Sequence, residues 1–162
     1  MRDIDDDIHR IETVLATNIF EPQNSNQPLL TAAITEVIIC LNDFLQKLKD
    51  FGFPVTFTDD VPIIDDIEDI TDLTNKIRNA LVHISSKTHF LNEHVKTGRN
   101  VIYYQKTTNN IVLGGTPLVC DYDDDVCFFF GKIKIYLHRH ILRALAEAKA
   151  NLALFKKTIP PI

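Results

Sequence analysis

Arg78 and His83 stand five residues apart in the run Arg78-Asn79-Ala80-Leu81-Val82-His83, where two complementary chemistries meet. A guanidinium is a permanent planar cation that grips phosphate oxygens as a fork, and an imidazole exchanges protons near neutral pH. The pair therefore suits the handling of a phosphodiester. In a chain of this composition an arginine five residues ahead of a histidine arises about 0.2 times by chance, and requiring Asn79 as well lowers this to about one in seventy. The bland alternative is that Arg78 pairs with Asp69 or Asp72 on its own helix, while His83 is a favourable cation near a helix C-terminus.

The motif closes the strongest helical pattern in the chain. Ile63, Ile67, Ile70, Thr74, Ile77, Leu81 and Ile84 alternate spacings of four and three, which predicts a helix opened by Pro62 and capped by Thr58, Asp59 or Asp60. Ahead of it, Ile4, Ile8, Ile11 and Leu15 mark a helix from about Arg2 to Thr17, with acids in its first turn. Leu30, Ile34, Val37, Ile38, Leu41, Phe44, Leu45 and Leu48 mark a second helix from Pro28 to about Asp50, stopped by Gly52 and Pro54. Beyond it, the runs Val101–Tyr104, Ile111–Leu113 and Leu118–Cys120, separated by Asn109-Asn110 and Gly114-Gly115, read as a hairpin or meander. Capped by Asp123 to Asp125, a last long helix is expected from about Val126 to Lys157, ended by Pro160 and Pro161. The alternative is that Val126 to Phe130 is a further strand, three consecutive phenylalanines being poor helix evidence.

These patterns predict a mainly α protein: an antiparallel helical bundle in one domain over 1–162, with a small β insertion at about 99–122 before the last helix. The net charge of -5 argues against coating nucleic acid or membrane by bulk charge. Acids nonetheless dominate the first half, while Lys132, Lys134, Arg139, Arg143, Lys149, Lys156 and Lys157 gather late, and that asymmetry is a candidate binding face. Lys132, Arg139 and Arg143 would share one side of the last helix and could track an RNA backbone, with His138 and His140 nearby. Tyr103 or Tyr104, but not both, could stack on a base. The acidic N-terminus lacks the start of a secretion signal, and no apolar run approaches the ~18 residues of a membrane span. A cytoplasmic protein without membrane contact is the expectation. Cys40, Cys120 and Cys127 are odd in number and scattered, which suggests buried thiols.

The motif resembles that of the HEPN superfamily (higher eukaryotes and prokaryotes nucleotide-binding), whose active members carry an arginine, a polar residue, a short spacer and a histidine. Here these are Arg78, Asn79, Ala80 to Val82, and His83. The resemblance implies a metal-independent endoribonuclease without cofactors, usually a homodimer whose two motifs meet in one cleft, often a toxin with a cognate antitoxin or a defence protein. In this reading Arg78 and His83 are catalytic, Asn79 supports them, and RNA is the substrate. Family toxins silenced by nucleotidyl transfer carry a tyrosine two residues after the histidine; Ser85 stands there, so that regulation is not expected. Five residues of ideal helix rotate by about 140°, so one chain's pair would not share a face while the helix stays regular: either the helix distorts near its end or, as the resemblance implies, two subunits bring Arg78 of one towards His83 of the other. Two other classes compete. One is a non-catalytic interaction module using the acidic and basic faces. The other is a metal-dependent hydrolase built on His83, His89, His94 and Glu93, whose spacing matches no common zinc pattern. The Asp121 to Asp125 run lacks the glycine and distal glutamate of a calcium loop, so capping and solvation explain it better.

Overall fold

The computed structural model describes residues 2–64, 66–83, 85–97, 99–104 and 111–159. Helix α1 (Arg2–Ala16) and helix α2 (Leu30–Asp50) form where the apolar stripes place them. Val37, Ile38, Phe44, Leu45 and Leu48 of α2 are fully buried, each stabilising the fold by about 1.5 to 3 kcal/mol relative to exposure. Helices α1 and α3 (Ile70–Val82) both pack on α2, as does α4 (Arg143–Thr158).

Helix α3 begins eight residues after Pro62, because the cap is Asp69 and not the earlier acids. Asp69 is extended and its carboxylate accepts the Asp72 N–H at 3.0 Å, satisfying one of the helix's free donors. Asp60 instead occupies a left-handed conformation (φ 61°) in a turn that the Val61 N–H closes onto the Thr58 carbonyl. Ile63 is left exposed and Ile67 is buried from a non-helical segment, so the first two members of the predicted stripe matched helical spacing without being helical. Ile84, its last member, lies outside the described residues, as do Asn109, Asn110, Pro160 and Pro161.

The larger correction concerns fold class. Strands β1 (Arg99–Tyr103), β4 (Val126–Phe130) and β5 (Ile133–Tyr136) form an antiparallel sheet in the order β1-β4-β5, while β2 (Ile111–Leu113) and β3 (Thr116–Leu118) make a separate hairpin. The chain is mixed α/β, not a mainly α bundle with a decorative insertion, and Val126 to Tyr136 is a hairpin, not the start of the last helix. All five residues of β4 are buried because both faces of the strand are covered. Val126, Phe128 and Phe130 face the helices, and Phe20 meets Phe128 edge-on at 5.5 Å. Cys127 and Phe129 alternate to the other side, against Leu91, Ile102, Leu118 and Tyr136. The three phenylalanines thus fill two cores, which a helix on the surface of a bundle could not offer.

A π-helical turn, Leu137–Leu142, carries the chain from β5 into α4, and its start is capped from a distance. Asp125, 0% exposed, accepts the His138 N–H at 2.9 Å and the Arg139 N–H at 3.0 Å, as well as its neighbour Val126 N–H at 2.7 Å. The Arg139 guanidinium lies 3.2 Å away and supplies the counter-charge. In the same turn His140 is buried, its Nδ1 accepting the Tyr136 N–H at 3.2 Å. Burial holds this imidazole below its ordinary 6.5, with Asp60 and Asp125 acting in the opposite sense. Among the described residues no helix is long and apolar enough to cross a membrane.

Removing the Asp125 carboxylate leaves three backbone N–H groups without their acceptor and takes one of its carboxylate partners from the partly exposed Arg139 guanidinium, which keeps Asp124. Asp125→Ala is expected to lose about 3 to 5 kcal/mol of stability, read as a lower urea midpoint at unchanged slope, with Asp125→Asn losing less. A loss within about 1 kcal/mol would refute the capping role. For His140 the folded state binds a proton less readily than the unfolded chain, so stability is full above about pH 6.5 and falls as acid takes the pH below it. Urea midpoints at about pH 7.5 and about pH 5.5 should therefore drop more for the parent than for His140→Gln, and equal drops would assign the titration elsewhere.

Candidate functional site

Arg78 and Asn79 lie in the last turns of α3, whose final residue is Val82. Arg78 is half-buried, and its Nη1 donates to the Asn79 Oδ1 at 3.2 Å, while the Asn79 amide reaches Asn75 Oδ1 at 3.5 Å. Among the described residues Arg78 pairs with neither Asp69 nor Asp72. Asp69 is occupied as the helix cap, and Asp72 lies 3.8 Å from Lys49 and accepts the Glu68 N–H. The Arg78 Nε is buried without a hydrogen-bond partner among the described residues.

His83 is the residue at which the helix stops. Its backbone turns extended (φ -117°, ψ 102°) while its N–H still closes the last turn onto the Asn79 carbonyl, and its side chain is exposed. The helix therefore releases His83 from its regular 140° offset, yet the two side chains are not joined by a hydrogen bond. The chain then folds back. The Ser86 N–H donates to the His83 carbonyl at 2.9 Å, a single 3-10 turn follows at Lys87–His89, and the His89 Nε2 meets the Ala80 carbonyl at 2.7 Å. His89 is thus a tie between this turn and the motif helix.

The predicted basic stripe is dismantled by the fold. Lys132 sits at the tight turn between β4 and β5, whereas Arg139 is in the π turn and Arg143 begins α4. Arg139 pairs with Asp124 at 2.9 Å and with Asp125, and its guanidinium stacks 3.7 Å over the Tyr122 ring. Arg143 pairs with Asp59 and Glu147, both at 2.8 Å. Lys149 reaches Glu12, and Lys156 reaches Asp5 at 3.3 Å. Three bases of the last helix, Arg143, Lys149 and Lys156, are thus paired with first-half acids. Tyr103 and Tyr104 both pack against the main core, and His140 is buried, so none of the three is a free platform. Of the three RNA-binding candidates, Lys132 alone is exposed and without an ion pair among the described residues.

Sequence reasoning missed Lys87 and Phe90, which sit where no periodicity distinguishes them, and weighed His89 only as a metal ligand. Lys87 and Phe90 are exposed and line the same clefts as Lys132. Among the described residues no three histidine, cysteine or acidic side chains converge in the way a metal ion would require. Neither a family model, a curated protein nor a solved structure matches this chain, so the functional reading rests on the residues themselves.

Proposed function

We propose that this protein is a metal-independent endoribonuclease acting as a homodimer, with Arg78 of one chain and His83 of the other completing each site. One observation supports the reading above all: α3 ends at Val82, so His83 stands exposed past the helix terminus, following a half-buried Arg78 whose Nε has no hydrogen-bond partner among the described residues. His83 takes the proton of an RNA 2′-hydroxyl as the oxygen attacks the adjacent phosphorus. The bond to the 5′-oxygen breaks, that oxygen receives a proton from the partner's histidine or water, and the products are a 2′,3′-cyclic phosphate and a 5′-hydroxyl. Arg78 holds the non-bridging oxygens and meets the charge that develops on them. Asn79, bonded to the Arg78 fork, keeps it oriented. The nucleophile comes from the substrate, so the step requires no metal-bound water. By the same resemblance the protein is proposed to be a toxin or defence protein, with a cognate antitoxin as a partner. The alternative of a non-catalytic interaction module would have to use a basic face partly consumed by ion pairs to Asp59, Glu12 and Asp5.

Incubation with RNA in excess EDTA should give cleavage by the parent, with Arg78→Ala and His83→Ala slower by about a hundredfold or more. DNA of the same sequence should stay intact, since it lacks the attacking hydroxyl. Undiminished cleavage by both variants, or cleavage abolished by EDTA, would overturn the proposal.

A further inference from the structure

Beside the motif lies a groove whose walls come from two distant parts of the chain. One wall is the segment Lys87 to Leu91 that folds back after His83; the other is the β4–β5 turn, Gly131 and Lys132. Their contact is close enough to demand glycine. Gly131 has φ +60°, and a Cβ there would collide with the Thr88 carbonyl oxygen and crowd that of Phe90. The turn therefore sits against the backbone of Thr88 to Phe90, and Lys132 is held beside Lys87 and Phe90. Two adjoining clefts result, of about 290 and 620 Å³, both lined by Lys87, Phe90 and Lys132.

The charges of this groove are unusual for the molecule. Nearby Lys76 is neutralised by Asp66, and Lys134 by Asp121. Lys87 and Lys132 are exposed and carry no ion pair among the described residues, and Glu93 is the carboxylate on the wall of one cleft. Phe90 is 39% exposed, with Lys96 Nζ 5.9 Å from its ring centroid. Two free cations bracketing an exposed aromatic ring match a single nucleic acid strand, whose phosphates seek cations while its unstacked bases seek π faces. An acidic peptide would use the lysines but not the ring.

The groove also adjoins the motif helix. Lys76, on the motif helix α3 seven residues before His83, lines one of its clefts. Lys87 follows His83 by four residues, and the His89 tie to Ala80 holds that segment against the helix.

We infer that this groove binds the single-stranded RNA flanking the scissile phosphate, Lys87 and Lys132 contacting phosphates and Phe90 stacking on a base. The inference rests on the ribonuclease reading for its substrate, and its test is made independent of cleavage. Fluorescence anisotropy of the full-length protein would use a labelled single strand with 2′-O-methyl riboses, whose nucleophile is blocked. The double variant Lys87→Ala/Lys132→Ala should bind about tenfold or more weakly, and its salt dependence should flatten by about 1.4 in log–log slope, two phosphate contacts on a single strand. Phe90→Ala should lose about five- to tenfold at unchanged slope, while Phe90→Tyr, which keeps the ring, binds like the parent. His83→Ala should bind normally, and matched melting temperatures would show that the exposed variants fold. Binding of the strand unaltered in the lysine and Phe90→Ala variants, no binding by the parent, or preference for a polyglutamate peptide would overturn the groove. Groove variants that bind weakly beside a parent that never cleaves would leave the groove standing and remove the ribonuclease. A cleaving parent with fully binding groove variants would do the reverse.

Discussion

The buried carboxylate of Asp125 is the constraint on which the C-terminal half depends. A fully buried anion is tolerated only when every lone pair is answered, and here three backbone N–H groups and the Arg139 guanidinium answer it. The backbone of the same residue accepts the Tyr104 N–H at 2.9 Å, so the end of β1 is fixed at the same point. One residue thereby joins the sheet to the turn that starts the last helix. With both ends of the β4–β5 hairpin pinned there, its tip must reach outward, and Gly131 lets it settle on the carbonyls of Thr88 and Phe90. The surface beside the motif is shaped by a carboxylate buried in another part of the fold.

How far this could be read from the sequence follows from which interactions are local. The stripes of α1 and α2 are local periodicities, and both helices form where the stripes lie. Asp69 and Asp60 are chemically identical, and only the tertiary path decides which of them caps α3; spacing could not tell Ile67 in a loop from Ile67 in a helix. Val126 to Tyr136 carries the β-branched and aromatic residues of a strand pair, but its alternation is masked because β4 is buried on both faces. Asp125 was expected among the caps of a helix from Val126; that helix is a strand, and the N–H groups Asp125 caps lie thirteen and fourteen residues onward across a hairpin.

Charge was the least legible feature. The acids of the first half and the bases of the last helix look like opposed faces in a linear reading, yet folding sets Lys156 against Asp5, Lys149 against Glu12 and Arg143 against Asp59. Exposed pairs of this kind add little stability singly, and their larger consequence is to consume cations. Unpaired in the groove among the described residues are Lys87 and Lys132, one overlooked and one predicted for a helical stripe that does not exist.

Arg78, Asn79 and His83 were legible as a motif because their chemistry survives without tertiary context. The division of labour between two chains is the proposal, and it rests on the resemblance of the motif; within one chain Arg78 donates to Asn79, and no hydrogen bond joins it to His83 among the described residues. The most direct measurement of that central claim is subunit mixing, with Arg78→Ala and His83→Ala proteins unfolded together, refolded and assayed on RNA. Random pairing makes half of the dimers mixed, each with one site holding both residues, so about a quarter of parent activity should return from two inactive proteins. A mixture as inactive as either variant alone, beside a cleaving parent, would contradict a site shared between chains.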